Sequence, residues 1–158
     1  MQLNLQPEMI EDIFREAIHH LGRNKRKHNI SMHLEDDLLM ANMDARLIIQ
    51  VLVNLINNAI KYTPENSNIS LNARRVEDKI LIEVQDDGNG VLHPDQLFEM
   101  FYTENNRGGD TRRGRGLGLS LCKSIIQSHG GTIWVENVTP HGACFKFVLD
   151  AVEVKLYE

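Results

Sequence analysis

The chain has 158 residues, 42% of them hydrophobic, and a formal net charge of -5. That length buries one core and leaves little room for a second, so a single domain is expected. The acidic balance argues against a general nucleic-acid binder, which needs a basic surface to neutralise phosphates. The longest apolar stretches, Leu47 to Ile60 and Leu117 to Ile126, are broken by Asn, Gln, Lys and Ser, and no segment reads as a membrane span. Met1 leads into Gln2-Leu3-Asn4 without a basic region and apolar run, which predicts no secretory signal and an intracellular domain. Cys122 and Cys144 have no Cys or His neighbours at ligand spacing; reduced core thiols are expected, not zinc ligands or a disulfide.

In chain order, Met9, Ile13, Phe14, Ala17, Ile18 and Leu21 fall at three- and four-residue spacings before Gly22, predicting an amphipathic scaffold helix over 8–21. The basic run Arg23 to His28 reads as a solvated turn. Alternation at Ile30, Met32 and Leu34, at Ile69, Leu71 and Ala73, at Ile80, Ile82 and Val84, and at Phe145, Phe147 and Leu149 predicts strands with one buried face. The second and third of these flank Glu77-Asp78, and the last follows 132–138 after Thr139-Pro140-His141-Gly142, so both pairs are expected to be antiparallel hairpins. Long helices are predicted over 44–62 and 117–129. The order predicts a two-layer α/β sandwich, with helices on one face of a mixed, mostly antiparallel sheet. From Thr103 to Gly116 there is no large apolar residue, but four arginines and four glycines; a long loop that cannot bury itself is expected to be mobile and functional.

Three constellations carry chemistry. On the helix 44–62, Gln50, Asn54, Asn57, Asn58 and Lys61 share a stripe about 100° wide. Buried amides need a ligand, water or polar neighbours, although a merely solvated face would also explain the stripe. In Asp86-Asp87-Gly88-Asn89-Gly90, counting by twos from Ile80 sets Asp86 on the inward side. A carboxylate there needs donors, which an adenine amino group and a water could supply, and the glycines let backbone approach a flat base. Alone, such a segment is more often an ordinary Asp-Gly turn. The third, Gly114-Arg115-Gly116-Leu117-Gly118-Leu119, enters a helix and so exposes amides and a positive dipole end suited to an anion. It matches neither the Walker signature nor a dinucleotide fingerprint.

Taken together and in this order, the segments resemble the GHKL superfamily of ATP-binding domains, specifically the histidine kinases, from about residue 3 to 149. Asn54-Leu-Ile-Asn57-Asn58-Ala-Ile-Lys61-Tyr62-Thr looks like the N box, Asp86 to Gly90 the G1 box, Phe98-Glu-Met-Phe101-Tyr102 the F box, and Gly114 to Leu119 the G2 box. His129-Gly-Gly-Thr-Ile-Trp134 and Gly142-Ala-Cys-Phe145 are similar to the potassium-responsive Kdp sensor kinases.

The resemblance implies the two-layer GHKL (Bergerat) fold and a Mg-ATP site. Asp86 would read the adenine amine, Gly88, Gly90 and Val91 would line the base pocket, and Tyr62 would flank the nucleotide. Asn58 would hold Mg²⁺, with Asn54, Asn57 and Lys61 beside the phosphates. The lid, 103–116, would close over ATP with Phe101, Arg107, Gly114, Arg115, Gly116, Leu117, Gly118 and Leu119. Thr103 stands where many relatives carry a phosphate-contacting arginine, and Arg107 is the nearest replacement. The seven histidines, His19, His20, His28, His33, His93, His129 and His141, all lack the setting of a phosphoacceptor box and read as surface or packing residues.

The implied partners are therefore a dimerisation and phosphoacceptor domain of the same parent kinase and, through it, a response regulator. This piece itself is expected to be monomeric, without membrane insertion, on the cytoplasmic side of an anchored sensor. Relatives of the gyrase, Hsp90 or MutL kind activate water with a glutamate where this chain has Asn54, and an amide cannot act as a general base. A serine kinase of the anti-sigma-factor type and a nucleotide-binding module without transfer remain the other readings.

Overall fold

The computed structural model describes residues 1–99 and 117–152. In chain order the elements are β1 (Gln6–Met9), α1 (Ile10–His20), β2 (Asn29–Leu34), β3 (Met40–Met43), α2 (Ala45–Lys61), β4 (Asn68–Val76), β5 (Lys79–Asp86), α3 (Leu117–Ser128), β6 (Ile133–Asn137) and β7 (Ala143–Asp150). Short 3-10 turns occupy Gly22–Lys27 and Pro94–Gln96.

The main sheet has the order β2-β4-β5-β7-β6. Among the described strands only β2 and β4 run parallel, and the two expected hairpins, β4-β5 and β6-β7, are antiparallel. The mixed, mostly antiparallel sheet with helices on one face is thus the observed architecture. A row of buried residues crosses the inner face, because register aligns Leu71 with Val84, Val84 with Phe145, and Phe145 with Val135. The adjacent row aligns Ala73, Ile82, Phe147 and Ile133. Side chains alternate across a strand, so these apolar positions all face the helices.

Helix α2 lies between α1 and α3. It buries Ile48, Val51, Leu52, Leu55, Ile56 and Ala59, the three-and-four spacing that makes a continuous apolar stripe. Each fully buried aliphatic chain contributes about 1.5–3 kcal/mol of transfer free energy before chain entropy is subtracted. Helix α1 buries Ile10, Ile13, Phe14 and Ala17. Phe98 seats edge-to-face on Phe145, with ring centroids 6.0 Å apart, so the start of the F-box segment is anchored in the core.

The sequence expectations need three corrections. Met9 does not belong to the first helix: it pairs with Met40 at the end of β1, and Ile10 N–H then donates to Leu39 O at 3.0 Å. The backbone of Glu8 and Met9 is committed to the ribbon β1-β3, so α1 starts at Ile10, two residues later than expected. That ribbon is itself an addition to the expected order, tied to the main sheet by a bridge between Ala41 and Ala151. The basic run forms the expected turn, a 3-10 turn with Arg23 and Lys27 exposed, but its last member departs from the solvated reading: His28 is buried at 9% exposure.

Both cysteines are free and buried, as expected. Burial pushes the Cys122 thiol up to about 12. Burial, reinforced by the neighbouring Glu83 carboxylate, does the same for Cys144. Folding therefore favours the protonated thiols over their ordinary value of 9.0. This contribution is complete below pH 9 and is lost as pH rises towards 12. Native protein is expected to resist iodoacetamide at about pH 8 while unfolded protein reacts at both sites, and urea stability is expected to fall between about pH 9 and pH 11. Mass spectrometry and denaturation curves read both effects.

Candidate functional site

Asp86 ends β5, pairs with Ile69, and continues the inward row of Ile80, Ile82 and Val84. The strand phase read from sequence is observed: the residue is 8% exposed. A buried carboxylate is stable only with donors. Two are supplied by backbone: Gly88 N–H donates to Oδ1 at 2.9 Å and Ala143 N–H to the same oxygen at 3.3 Å. The first closes an Asx turn that folds the chain back after the strand. The second ties the carboxylate to the start of β7.

The C-terminal end of α2 comes up against this turn. Tyr62, the residue after the helix, donates its N–H to Asn58 O at 3.2 Å. Thr63 donates its hydroxyl to Ala59 O at 2.7 Å, and its methyl occupies the space a Cβ at Gly88 would need, 2.7 Å away. A side chain at 88 would thus push the turn off the helix. Because the Thr63 hydroxyl proton is used on Ala59, its oxygen accepts from His28 Nε2 at 2.9 Å. That assigns the Nε2–H tautomer to His28, whose buried Nδ1 has no partner among the described residues.

Along α2, Asn54 and Asn58 are half-buried, and Asn57 and Lys61 are exposed. Asn54 points its Nδ2 at the Cys122 sulfur of α3, 3.8 Å away. Asn58 lies one helical turn further on, towards the Asp86 turn. Among the described residues no group of three or more His, Cys, Asp or Glu is arranged to hold a metal ion. A half-buried amide oxygen such as that of Asn58 suits magnesium, which keeps several waters and takes its charge partners from phosphates.

Helix α3 begins at Leu117; Gly118 is exposed and Leu119 packs on the core. Phe101, Arg107, Gly114, Arg115 and Gly116, and with them the expected lid, lie outside the described residues. The far end of α3 is tied to α2. His129 Nδ1 donates to Ile125 O at 2.8 Å, so Nε2 is the lone-pair nitrogen that accepts Asp44 N–H at 3.0 Å. Asp44 in turn accepts Asn4 N–H on its carboxylate at 3.1 Å and leaves α2 without a side-chain cap. His129 therefore packs and positions, as its sequence setting suggested.

Several residues at the site were not singled out from sequence: Thr63, His28, Ala143, Asn137 and His141. His141 donates from Nδ1 to Asp87 O at 2.8 Å, and Asp87 accepts from Asn68 N–H and Nδ2 at 3.0 and 2.9 Å. Their contacts across the site join residues 35 to 57 positions apart, which spacing along one segment does not show.

The sheet-on-helix sandwich, with an amide-bearing helix, an inward strand-end carboxylate and a glycine turn between them, is the arrangement that the resemblance to the ATP-binding GHKL α/β domains implies. The chain belongs to the histidine kinase-, DNA gyrase B- and HSP90-like ATPase family, which it matches over residues 43–153. It is 36% identical over 142 residues to the sensor protein KdpD of Clostridium acetobutylicum, a match covering 89% of this chain and 16% of that protein.

Among solved structures it resembles the nucleotide-free catalytic domain of the histidine kinase ThkA, with TM-score 0.81, 28% identity, and coverage of 94% of this chain and 98% of that one. ThkA in complex with the response regulator protein TrrA is matched with TM-score 0.78 and 27% identity, over 94% of this chain and 42% of that one. The chain spans between 16% and 39% of the length of such curated relatives. No helix among the described residues is long and apolar enough to cross a membrane.

Proposed function

We propose that this chain is the catalytic domain of a sensor histidine kinase, which binds Mg-ATP and donates the γ-phosphate to a histidine on a separate dimerisation and phosphoacceptor domain of the same parent protein. A response regulator then receives the phosphoryl group, in keeping with the ThkA complex with TrrA. Residues 1–158 form one domain, monomeric by itself, on the cytoplasmic side of its sensor. The observation that carries the reading is Asp86: a buried carboxylate, fixed by two backbone amides on one oxygen, beside the last turn of a helix lined with amides.

Asp86 accepts from the adenine amine, Gly88, Gly90 and Val91 form the base wall, and Tyr62 flanks the nucleotide. Asn58 holds Mg²⁺, with Asn54 and Asn57 on the same helical face, and Lys61 contributes a point charge to phosphate. Bound magnesium supplies charge neutralisation on the phosphate oxygens. Phe101, Arg107, Gly114, Arg115, Gly116, Leu117, Gly118 and Leu119 complete the phosphate side. The incoming imidazole nitrogen forms a bond to the γ-phosphorus as the bond to the bridging oxygen breaks, and ADP leaves. Positioning and charge do the work, so no general base is needed on α2. Asn54, whose amide faces the Cys122 sulfur, fits transfer and not hydrolysis.

Asn58→Ala is expected to lower transfer to a separately expressed acceptor domain by about 100-fold and to raise the Mg²⁺ requirement, with little change in melting. Acid-labile phosphate on the acceptor, titrated against Mg²⁺, reads the effect. An unchanged metal requirement removes Asn58 from that role, and acid-stable phosphoserine on the acceptor rejects the histidine-kinase reading.

A further inference from the structure

The segment after Gly88 has no regular secondary structure, yet Gly90 and Val91 must hold a fixed wall if Asp86 is to read a base from one direction. Among the described residues, no backbone hydrogen bond within the segment holds either of them. Asn137, the last residue of β6, clamps Val91 through both ends of its carboxamide: Oδ1 accepts from Val91 N–H at 2.8 Å, and Nδ2 donates to Val91 O at 3.0 Å. An amide presenting both groups to one backbone residue stands in for a neighbouring strand. Gly90, at φ +82°, lies directly under it, since a Cβ there would come within 2.5 Å of the same Oδ1.

Asn137 is also the register partner of Ala143, whose N–H bonds the Asp86 carboxylate. One rung of the β6-β7 hairpin thus touches both sides of the base pocket. His141, in the intervening turn, holds Asp87 O from the same direction. Asn137 is exposed, so its amide adds little to the hydrophobic core, and its two bonds are spent on the shape of the 88–91 segment.

We propose that Asn137 is a positioning residue that sets the adenine selectivity of the site by holding Gly90 and Val91 against Asp86. The proposal rests on the reading of Asp86 as the adenine acceptor. Removing the clamp loosens the wall that orients the base, and the cost falls on contacts to the base edge more than on the phosphates.

The test compares Mg-ATP with Mg-ITP, whose base carries a carbonyl in place of the amine, by titration calorimetry on the wild-type chain, Asn137→Ala, Asn137→Asp and Asp86→Asn. Asn137→Ala is expected to weaken ATP about tenfold and ITP no more than about threefold, with melting within a few degrees of wild type. Asn137→Asp keeps an acceptor for Val91 N–H but sets a carboxylate against Val91 O, and it is expected to fall with the alanine variant. Unchanged ATP affinity in both variants, or equal losses for ATP and ITP, overturns the proposal. Wild-type ATP affinity in Asp86→Asn overturns instead the reading beneath it. Amide exchange in the wild-type chain gives a check free of folding defects: Val91 N–H is expected to be protected, and exchange at the rate of an open loop overturns the clamp.

Discussion

Asp86→Asn is expected to weaken Mg-ATP binding by about 100-fold or more while leaving the melting temperature close to wild type. The asymmetry comes from how the carboxylate is held. Its Oδ1 accepts two backbone N–H groups, from Gly88 and Ala143, and an asparagine can place its carbonyl oxygen there without disturbing the turn. The amide nitrogen then occupies the other position. That position changes from acceptor to donor and, with the base seated as proposed, would face the adenine amine, itself a donor. A site that hydrogen-bonds its ligand in a buried setting loses heavily when one partner is reversed, because both groups are left desolvated and unpaired. Calorimetry with Mg-ATP and a thermal melt separate the two effects. Near-wild-type affinity would remove Asp86 from the base site, and a collapsed melt would show the carboxylate to be a structural group.

The second large effect is expected at Gly142. Its φ is +120°, outside the conformations side chains readily adopt, and a Cβ would meet the carbonyl oxygen of Asp86 well inside van der Waals contact. Neither the strained backbone nor a clash with main chain can be relieved by a rotamer change. Gly142→Ala is therefore expected to cost about 3 kcal/mol or more of stability in urea denaturation, and to displace the β6-β7 turn from Asp86, with loss of ATP binding. Gly118→Ala is the contrast. That glycine sits in α3 with nothing within 4 Å of its missing Cβ. The substitution is expected to leave stability unchanged or raise it by up to about 1 kcal/mol, from helix propensity. Equal losses at the two positions would refute the geometric account of Gly142.

Asp86 was legible in sequence because strand phase is a local property: three apolar residues spaced by two set the face of the fourth position. The helices α2 and α3 and both hairpins were legible for the same reason, since their periodicities lie within single segments. The ribbon β1-β3 was not. Its strands are four residues each, too short for alternation to stand out, and Pro7 within β1 argues against a strand except at an edge. The parallel pairing of β2 with β4 was equally hidden, because alternation shows that a strand has a buried face and says nothing about which strand lies beside it.

Sequence alone determined the class of fold, which follows from the order of the elements, and the inward carboxylate and the amide stripe, which follow from spacing along one element. The tertiary structure alone decided what holds them in place. Asn137 reaches Val91 across 46 residues, Ala143 reaches Asp86 across 57, and His28 reaches Thr63 across 35. Such contacts depend on how strands and helices are laid side by side, and a hydrogen bond between distant residues leaves no periodic trace in either segment. The carboxylate that anchors the proposed base site was thus visible in the chain itself, while the clamp around it came into view only when β6 and β7 were folded against the turn it closes.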